Sequence, residues 1–159
     1  MSTNHSPVDG VGAGLLEPIR PSRLVRVVMR PMTKALNPVM ATVAGRRHFS
    51  GAARLTHTGR RSGRSYVAIV GAHITGDTAV IPLTFGNTSD WARNVRAAGG
   101  CSVRLNGTDY SLTQPEFRSA AAARLLVRAA FNPMFRAAFP MLGIRQFLVL
   151  RVADAESRP

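Results

Sequence analysis

The sequence predicts an α+β fold, a small β-barrel of about six strands with helices at its periphery. Short runs rich in β-branched and apolar residues, separated by turn residues, fill most of the chain after residue 54. The 159 residues are 45% hydrophobic and 18% charged, which is typical of one packed domain. The chain has no internal repeat and no low-complexity segment, so a repeat architecture is excluded.

The N-terminal third is predicted to stand apart from the barrel. Residues 1–18 are rich in Gly, Ser and Pro and lack periodicity, so we expect a flexible tail. Residues 19–46 form a basic amphipathic segment, in which Leu24 and Val27 face away from Arg23. Such a segment suits an acidic membrane surface, and it equally suits a helix packed on the domain with its arginines in solvent.

The barrel domain is predicted to span residues 47–153, followed by a polar tail at 154–159. Gly76-Asp77 and Asn106-Gly107 are typical of hairpin turns, and the second pair favours type I′. The expected strands are 55–57, 66–74, 78–83, 101–105, 108–113 and 146–152.

Three helices are expected within this domain. The first runs over 90–98, begins at Thr88 or Ser89 and ends at Gly99-Gly100, with Trp91, Val95 and Ala98 toward the core. The second is expected over 117–130. Asn132-Pro133 begins the third, with Phe131, Phe135 and Phe139 on one stripe.

Several protein classes are excluded by composition. The single cysteine, Cys101, allows no disulfide framework and no cysteine-built zinc site, so no metal site is expected. Charged residues interrupt every apolar stretch of spanning length. The first 19 residues lack the features of a signal peptide, so the expected location is the cytoplasm, at most peripheral to the inner face of the membrane.

The charge is large and unevenly distributed. Lys and Arg number 21 against 8 Asp and Glu, a net charge of +13. No acidic residue lies between Glu17 and Asp77, whereas eleven cations do. This asymmetry favours an anionic partner: nucleic acid, acidic lipid or a phosphorylated small molecule. Arginines on solvated faces explain part of the count.

Residues 58–64, which we call the arginine turn, are the first candidate site. Two glycines allow a tight turn and close backbone approach, and the segment offers a hydroxyl and three guanidinium groups. This combination is typical of a cradle for phosphate or carboxylate, although an exposed basic hairpin turn has the same composition. The residues are Thr58, Gly59, Arg60, Arg61, Ser62, Gly63 and Arg64.

The second candidate segment, residues 83–95, leads from a strand into the helix at 90–98. Gly86 permits close backbone approach, and the first amides of the helix favour an anion or a polar carbonyl. The Asn94 amide could donate to and accept from a heterocycle, or lie in solvent. Trp91 is interpreted as a core residue.

The two segments together resemble the deazaflavin-dependent nitroreductase family of actinobacterial oxidoreductases, which use coenzyme F-420 (8-hydroxy-5-deazaflavin). The resemblance rests on Leu-Thr-His-Thr-Gly-Arg-Arg-Ser-Gly-Arg and on Thr-Phe-Gly, Ser-Asp-Trp, Arg-Asn-Val and Ala-Ala-Gly-Gly-Cys, within residues 48–112. It implies a split β-barrel of the flavin-reductase and pyridoxamine-phosphate-oxidase type. Val67, Ala68 and Ile69 depart from the family's usual Arg and Thr/Asn-Pro continuation.

The resemblance also implies the roles of individual residues. The arginine turn would hold the anionic tail of the coenzyme, and Tyr66 is a candidate proton donor. An apolar pocket for the electron acceptor is expected at Phe131, Met134 and Phe135. Phe139 and Met141 belong to the same apolar set, and a stripe of this kind equally forms part of a hydrophobic core. The ring system would lie against Thr84, Phe85, Gly86 and Asn87, with Trp91 and Asn94 beside it.

The implied reaction is hydride transfer from reduced coenzyme F-420 to a quinone, nitro compound or activated alkene, a small and lipophilic electron acceptor. Two other classes stay open: a non-catalytic carrier of a deazaflavin, haem-like or lipid ligand, and a basic nucleic-acid-binding domain. Aromatic residues, only 6% of the chain, do not interleave with the arginines, which disfavours the nucleic-acid class. The sequence leaves monomer and homodimer open, together with a peripheral membrane contact through residues 20–46.

Overall fold

The structure, a computed structural model, describes residues 52–153. The predicted tail at 1–18, the basic segment at 19–46 and the polar tail at 154–159 lie outside the described residues. The described part of the chain therefore covers most of the predicted barrel domain.

Within residues 52–153, seven antiparallel strands form one sheet in the order β2-β1-β5-β6-β7-β4-β3. Their alternation of buried and exposed side chains is clearest in β1, where Ala53, Leu55 and His57 face inward. The strands are β1 Ala52–Thr58, β2 Ser65–Gly71, β3 His73–Thr75, β4 Thr78–Pro82, β5 Gly100–Leu105, β6 Thr108–Ser119 and β7 Gln146–Ala153.

The position of β2 and β3 makes the sheet a split barrel. They are separated in the chain by Ala72 alone, yet they lie at opposite edges of the strand order. The sheet must therefore curl until its two edges approach each other, and β2 does lie near β4. No hydrogen-bonded ladder joins β2 to β3 or β4 among the described residues, so the barrel stays open. The predicted α+β split-barrel class is confirmed.

Two predicted elements were wrong in their bounds. The expected strand 66–74 is two strands, because the chain leaves one sheet edge at Gly71 and joins the other at His73. The expected helix 117–130 begins as strand, since β6 continues to Ser119 and pairs with β7 from Phe117↔Leu148 to Ser119↔Gln146. A bulge with Gln114 at φ 53° lets β6 bend and keep this pairing.

The Asn106-Gly107 turn has positive φ at both residues, as type I′ requires.

Three helices flank the described sheet: α1 Asp90–Ala98, α2 Arg124–Ala130 and α3 Pro133–Met141. The bounds of α1 match the prediction, and Gly99 ends it at φ 74°. Val95 is fully buried and Trp91 half-buried, but Ala98 is exposed, because Ala92 and Asn94 occupy the buried face instead. The Asn132 side chain accepts a hydrogen bond from the Phe135 N–H, which confirms the predicted start of α3.

The core of the described part of the chain consists of two clusters on opposite faces of β4 and β7. The first, which includes Ile81 and Leu148, fills the barrel and receives Val95 from α1. The second, which includes Val80 and Phe147, lies under α2 and α3. Because neighbouring residues of one strand point to opposite faces, these strands separate the two clusters. The arginine turn and α1 thus belong to one side of the fold, and α2 and α3 to the other.

Candidate functional site

The arginine turn is the loop of the β1–β2 hairpin. The Gly59 N–H donates to the Arg64 carbonyl oxygen at 2.8 Å, and the Gly63 N–H donates to the Gly59 carbonyl at 2.8 Å. Gly63 adopts φ 65°, a left-handed conformation that other residues enter at a cost. The predicted tight turn is therefore closed by its own backbone.

Side chains make this turn compact. Ser62 Oγ lies 3.0 Å from Tyr66 Oη and accepts from the Arg64 N–H at 3.3 Å. Gly59 leaves no room for a larger residue, because a Cβ there would lie 2.6 Å from Ser62 Oγ and 2.7 Å from Tyr66 Cε2. The hydroxyl groups of Ser62 and Tyr66 therefore lie together on the exposed side of the hairpin.

The Arg60 side chain is directed at α1 and fastens the turn to it. Its backbone N–H and its Nη1 donate to Asn94 Oδ1 at 3.2 and 2.8 Å, and its Nη2 donates to Asp90 Oδ1 at 3.0 Å. The side chain of Arg60 is 22% exposed and that of Asp90 is 84% exposed. In this structure Arg60 positions the turn, and its donors are directed at the protein.

Asn94 connects this pair to His57 on β1. Because two donors of Arg60 fix the amide oxygen, the Asn94 Nδ2 must face His57 Nδ1, 3.2 Å away, and donate to it. His57 is therefore the neutral tautomer with its proton on Nε2. Burial also lowers the pKa of His57. The His57 ring stacks on Tyr66 at 5.8 Å, which links the network to the outer side of the turn.

The remaining guanidinium groups of the turn have no carboxylate partner in residues 52–153. The acidic residues there are four, and each one forms an ion pair with an arginine: Asp90 with Arg60, Asp109 with Arg104, Glu116 with Arg118 and Asp77 with Arg151. Arg61 and Arg64 are exposed and take part in none of these pairs. They leave a concentrated positive charge on a rigid turn.

The second predicted segment lies between β4 and α1. The Gly86 N–H donates to the Leu83 carbonyl at 3.0 Å with φ 72°, and Ser89 Oγ donates to the Gly86 carbonyl at 3.2 Å. Ser89 therefore does not cap α1 with its side chain. Thr84, Phe85 and Asn87 are partly exposed along this loop. Since Asn94 and Asp90 of α1 hold Arg60, the two predicted segments meet through α1.

The predicted acceptor-pocket residues lie elsewhere. Phe131 is buried in the second cluster, where its ring contacts Phe139 at 5.1 Å and His73 at 5.0 Å. Met134 and Phe135 on α3 are 72% and 52% exposed. The structure therefore gives Phe131 a core position and leaves the other two at the surface.

Neither the Arg60–Asp90 pair nor the His57–Asn94 contact was predicted from the sequence. A signal was present, because alternation in β1 places His57 inward with Leu55, and Asn94 lies beside Val95 on the buried face of α1. A buried polar side chain needs a partner, and these two partner each other.

Cys101 takes no part in this network. Burial raises the pKa of the Cys101 thiol to about 12, so the residue stays protonated at neutral pH. Within residues 52–153 no three His, Cys, Asp or Glu side chains cluster as metal ligands. The described helices include none that is long and apolar enough to cross a bilayer.

Comparison with known proteins gives matches to solved structures only. No protein-family model and no curated protein matches the sequence. An F420-H2 dependent reductase, FDR-A, matches with 15% identity over 64% of this chain and 94% of its own, at a TM-score of 0.44. A nimC/nimA family protein from Clostridium acetobutylicum matches with 15% identity over 72% and 82%, at 0.43. HutZ, the heme storage protein from Vibrio cholerae, matches with 10% identity over 77% and 92%, at 0.47.

The class of the protein, an open α+β split barrel with a basic hairpin turn fastened to α1, is defined by its own sheet and contacts.

Proposed function

We propose that the arginine turn binds the anionic tail of a small coenzyme, and that the protein is an oxidoreductase dependent on coenzyme F-420. The observation that carries the proposal is that two exposed arginines, Arg61 and Arg64, lack a carboxylate partner in residues 52–153. They lie on a turn that Arg60 fastens to α1. The resemblance of the two sequence segments to the deazaflavin-dependent nitroreductases supports this coenzyme.

The residues present fit such a group. The tail of coenzyme F-420 carries phosphate and carboxylates, and guanidinium groups bind both in forked geometry. Ser62 adds a hydroxyl, and Gly59 keeps the turn folded tightly against Tyr66. Asp90, a carboxylate beside the turn, is paired with Arg60, so its charge is offset before a ligand arrives.

When bound, reduced coenzyme F-420 supplies the hydride. Arg61 and Arg64 would bind and orient its tail, while Arg60 and Asn94 hold the turn against α1. The loop at residues 84–87 and Trp91 would border its ring system and keep water out of the site. The electron acceptor is a quinone, nitro compound or activated alkene.

Tyr66 is the proposed proton donor in this scheme. Its hydroxyl is 3.0 Å from Ser62 Oγ, and its side chain is 44% exposed, so a proton at Oη can be replaced from solvent. Tyr66→Phe is expected to slow turnover while coenzyme affinity stays unchanged, which separates proton delivery from binding. Unchanged turnover would remove Tyr66 from the scheme.

Binding is tested by quenching of deazaflavin fluorescence. We expect saturable binding at micromolar coenzyme, and a loss of about tenfold or more in affinity in Arg61→Gln with Arg64→Gln at unchanged melting temperature. The matched control, Arg54→Gln with Arg104→Gln, removes the same charge from exposed positions on β1 and β5. It should leave affinity near the wild-type value. Absence of binding, or equal losses in both pairs, overturns the proposal.

Turnover distinguishes the enzyme from a carrier. Oxidation of the reduced coenzyme by menadione or a nitroaromatic compound supports the oxidoreductase, whereas tight binding without oxidation supports a non-catalytic carrier. A salt-sensitive shift of random DNA that is indifferent to Arg61→Gln with Arg64→Gln would support nucleic-acid binding instead.

A further inference from the structure

A second unexplained surface lies on α2 and α3. Of the seven large hydrophobic side chains that are exposed in residues 52–153, two lie on β2 beside the arginine turn. The other five lie on α2, on α3 and at the residue after α3, and we call them the apolar cap: Leu125, Met134, Phe135, Met141 and Leu142. Scattered exposed hydrophobic residues are common, but a concentration of this kind marks an interaction surface.

The helix period joins the α3 residues into one stripe. Met134 and Met141 are seven residues apart and lie on one side of α3, and Phe135 is the neighbour of Met134. Leu142 follows directly after the end of the helix. The exposures of the two methionines are high, 72% for Met134 and 82% for Met141. The stripe borders the buried Phe139, which anchors α3 in the second cluster. Helix α3 thus buries one edge of a wide apolar face and leaves the rest outside.

The stretch of chain that carries the apolar cap contains arginines and no acidic residue. No Asp or Glu occurs between Glu116 and Asp154. Arg124, Arg128 and Arg145 are exposed there and take part in no ion pair with the acids of residues 52–153. Arg124 and Arg128 lie one turn apart on α2, next to Leu125. Long apolar side chains bordered by guanidinium groups match the interface of a bilayer that contains anionic lipid.

We propose that the apolar cap docks the protein on the surface of an anionic lipid bilayer. The methionine, phenylalanine and leucine side chains enter the region between headgroups and acyl chains, and Arg124, Arg128 and Arg145 contact lipid phosphates. This surface is separate from the arginine turn, and its function goes beyond coenzyme binding.

Charge favours a lipid surface over two other partners for the apolar cap, which are residues 19–46 of this chain and a second copy of the protein. Residues 19–46 of the chain carry six positive charges and no acid, so they would be repelled by the arginines around the cap. A second copy of the protein, with a net charge of +13, would bring the same arginines face to face. An anionic bilayer offsets these charges and also accepts the apolar side chains.

Flotation with vesicles tests the docking. The full chain is expected to float with phosphatidylglycerol vesicles and much less with phosphatidylcholine vesicles. Met134→Gln with Met141→Gln, and separately Arg124→Gln with Arg128→Gln, should each weaken binding about tenfold or more. The matched control for the second pair is Arg54→Gln with Arg104→Gln, which should weaken binding less. Equal losses in the two arginine pairs would mean that overall charge alone drives binding and would overturn the proposal.

A local probe separates this surface from the basic segment at 19–46. An environment-sensitive fluorophore is attached at Met141→Cys in a Cys101→Ala background, and in a second sample at Asp109→Cys near the start of β6. The emission at position 141 should shift to the blue on phosphatidylglycerol vesicles, while that at 109 stays unchanged. Flotation without a shift at 141 would place the membrane contact elsewhere and overturn the proposal. Blue shifts with an acidic protein but not with vesicles would assign the cap to a protein partner, which also overturns it.

Discussion

The tautomer of one buried histidine is set by an arginine that acts through the amide between them. Arg60 sets the orientation of the Asn94 amide, and the amide then presents an N–H to His57 Nδ1. A proton on Nδ1 would place two donors against each other and break the bond. Burial acts in the same direction, since it lowers the pKa of His57.

Stability is therefore expected to fall as the solution becomes acidic. The pKa of His57 is lower in the folded state than its ordinary value of 6.5, so below that pH the unfolded chain binds the proton more readily. The stabilisation is complete above the unfolded pKa and is lost progressively below it. Urea denaturation at about pH 7.5 and about pH 5.5 should show a smaller loss in His57→Gln than in wild type. Parallel losses in the two proteins would contradict this account.

At the scale of elements, α1 and α3 begin in different ways although both starts look alike in sequence. Asn132 accepts the Phe135 N–H at 3.0 Å and caps α3. Ser89 stands at the same position of α1, but its hydroxyl bonds the Gly86 carbonyl and fixes the preceding loop. Asn132 therefore caps its helix, whereas Ser89 fixes the loop that leads into its helix.

Asn132→Ala should lower the free energy of unfolding by about 1 kcal/mol, because it removes a helix cap. Ser89→Ala is the matched comparison and should cost less, since no amide of α1 depends on that side chain. Chemical denaturation of both variants measures the difference. Equal destabilisation would show that the capping bond is worth no more than the loop bond.

At the scale of the whole molecule, the fold places positively charged side chains directly beside each other. Arg54 and Arg104 are direct partners in the β1–β5 ladder, with both side chains exposed. Like charges directly opposite each other destabilise a sheet. The net charge of +13 adds repulsion over longer distances, which salt screens.

The melting temperature of the wild type should accordingly rise between about 20 mM and about 200 mM sodium chloride. Arg54→Gln should raise the melting temperature at low salt and flatten the salt dependence, because it removes the repulsion while Arg104 keeps its ion pair with Asp109. A flat dependence in wild type would mean that this charge costs little in the folded state. Differential scanning fluorimetry at several salt concentrations is sufficient.

The sheet was largely predictable from sequence, and the site was predictable only in part. Alternation and turn residues located most strands and the Asn106-Gly107 hairpin, because these signals are local. The extension of β6 past Gln114 depends on pairing with β7, some thirty residues further along the chain. The local helical pattern after Phe117 therefore predicted the wrong secondary structure for residues 117–119.

For the site, composition identified the arginine turn but not the direction of each side chain. Arg60 and Arg61 are neighbours with the same chemistry, yet one is held by Asn94 and Asp90 and the other is exposed. That difference depends on where α1 packs, which no local pattern contains. The positions of Met134 and Phe135 likewise depend on which edge of α3 meets the second cluster.

The contacts of Arg60 have a consequence for natural variation among relatives. Position 60 is coupled to positions 90 and 94 by hydrogen bonds, so a change at one is tolerated best when the others change with it. Positions 61 and 64 have no such partners in residues 52–153, and the ligand alone would constrain them. In an alignment of close homologues, residue 60 should therefore covary with residues 90 and 94. Residues 61 and 64 should instead vary together with the charge of whatever the turn binds.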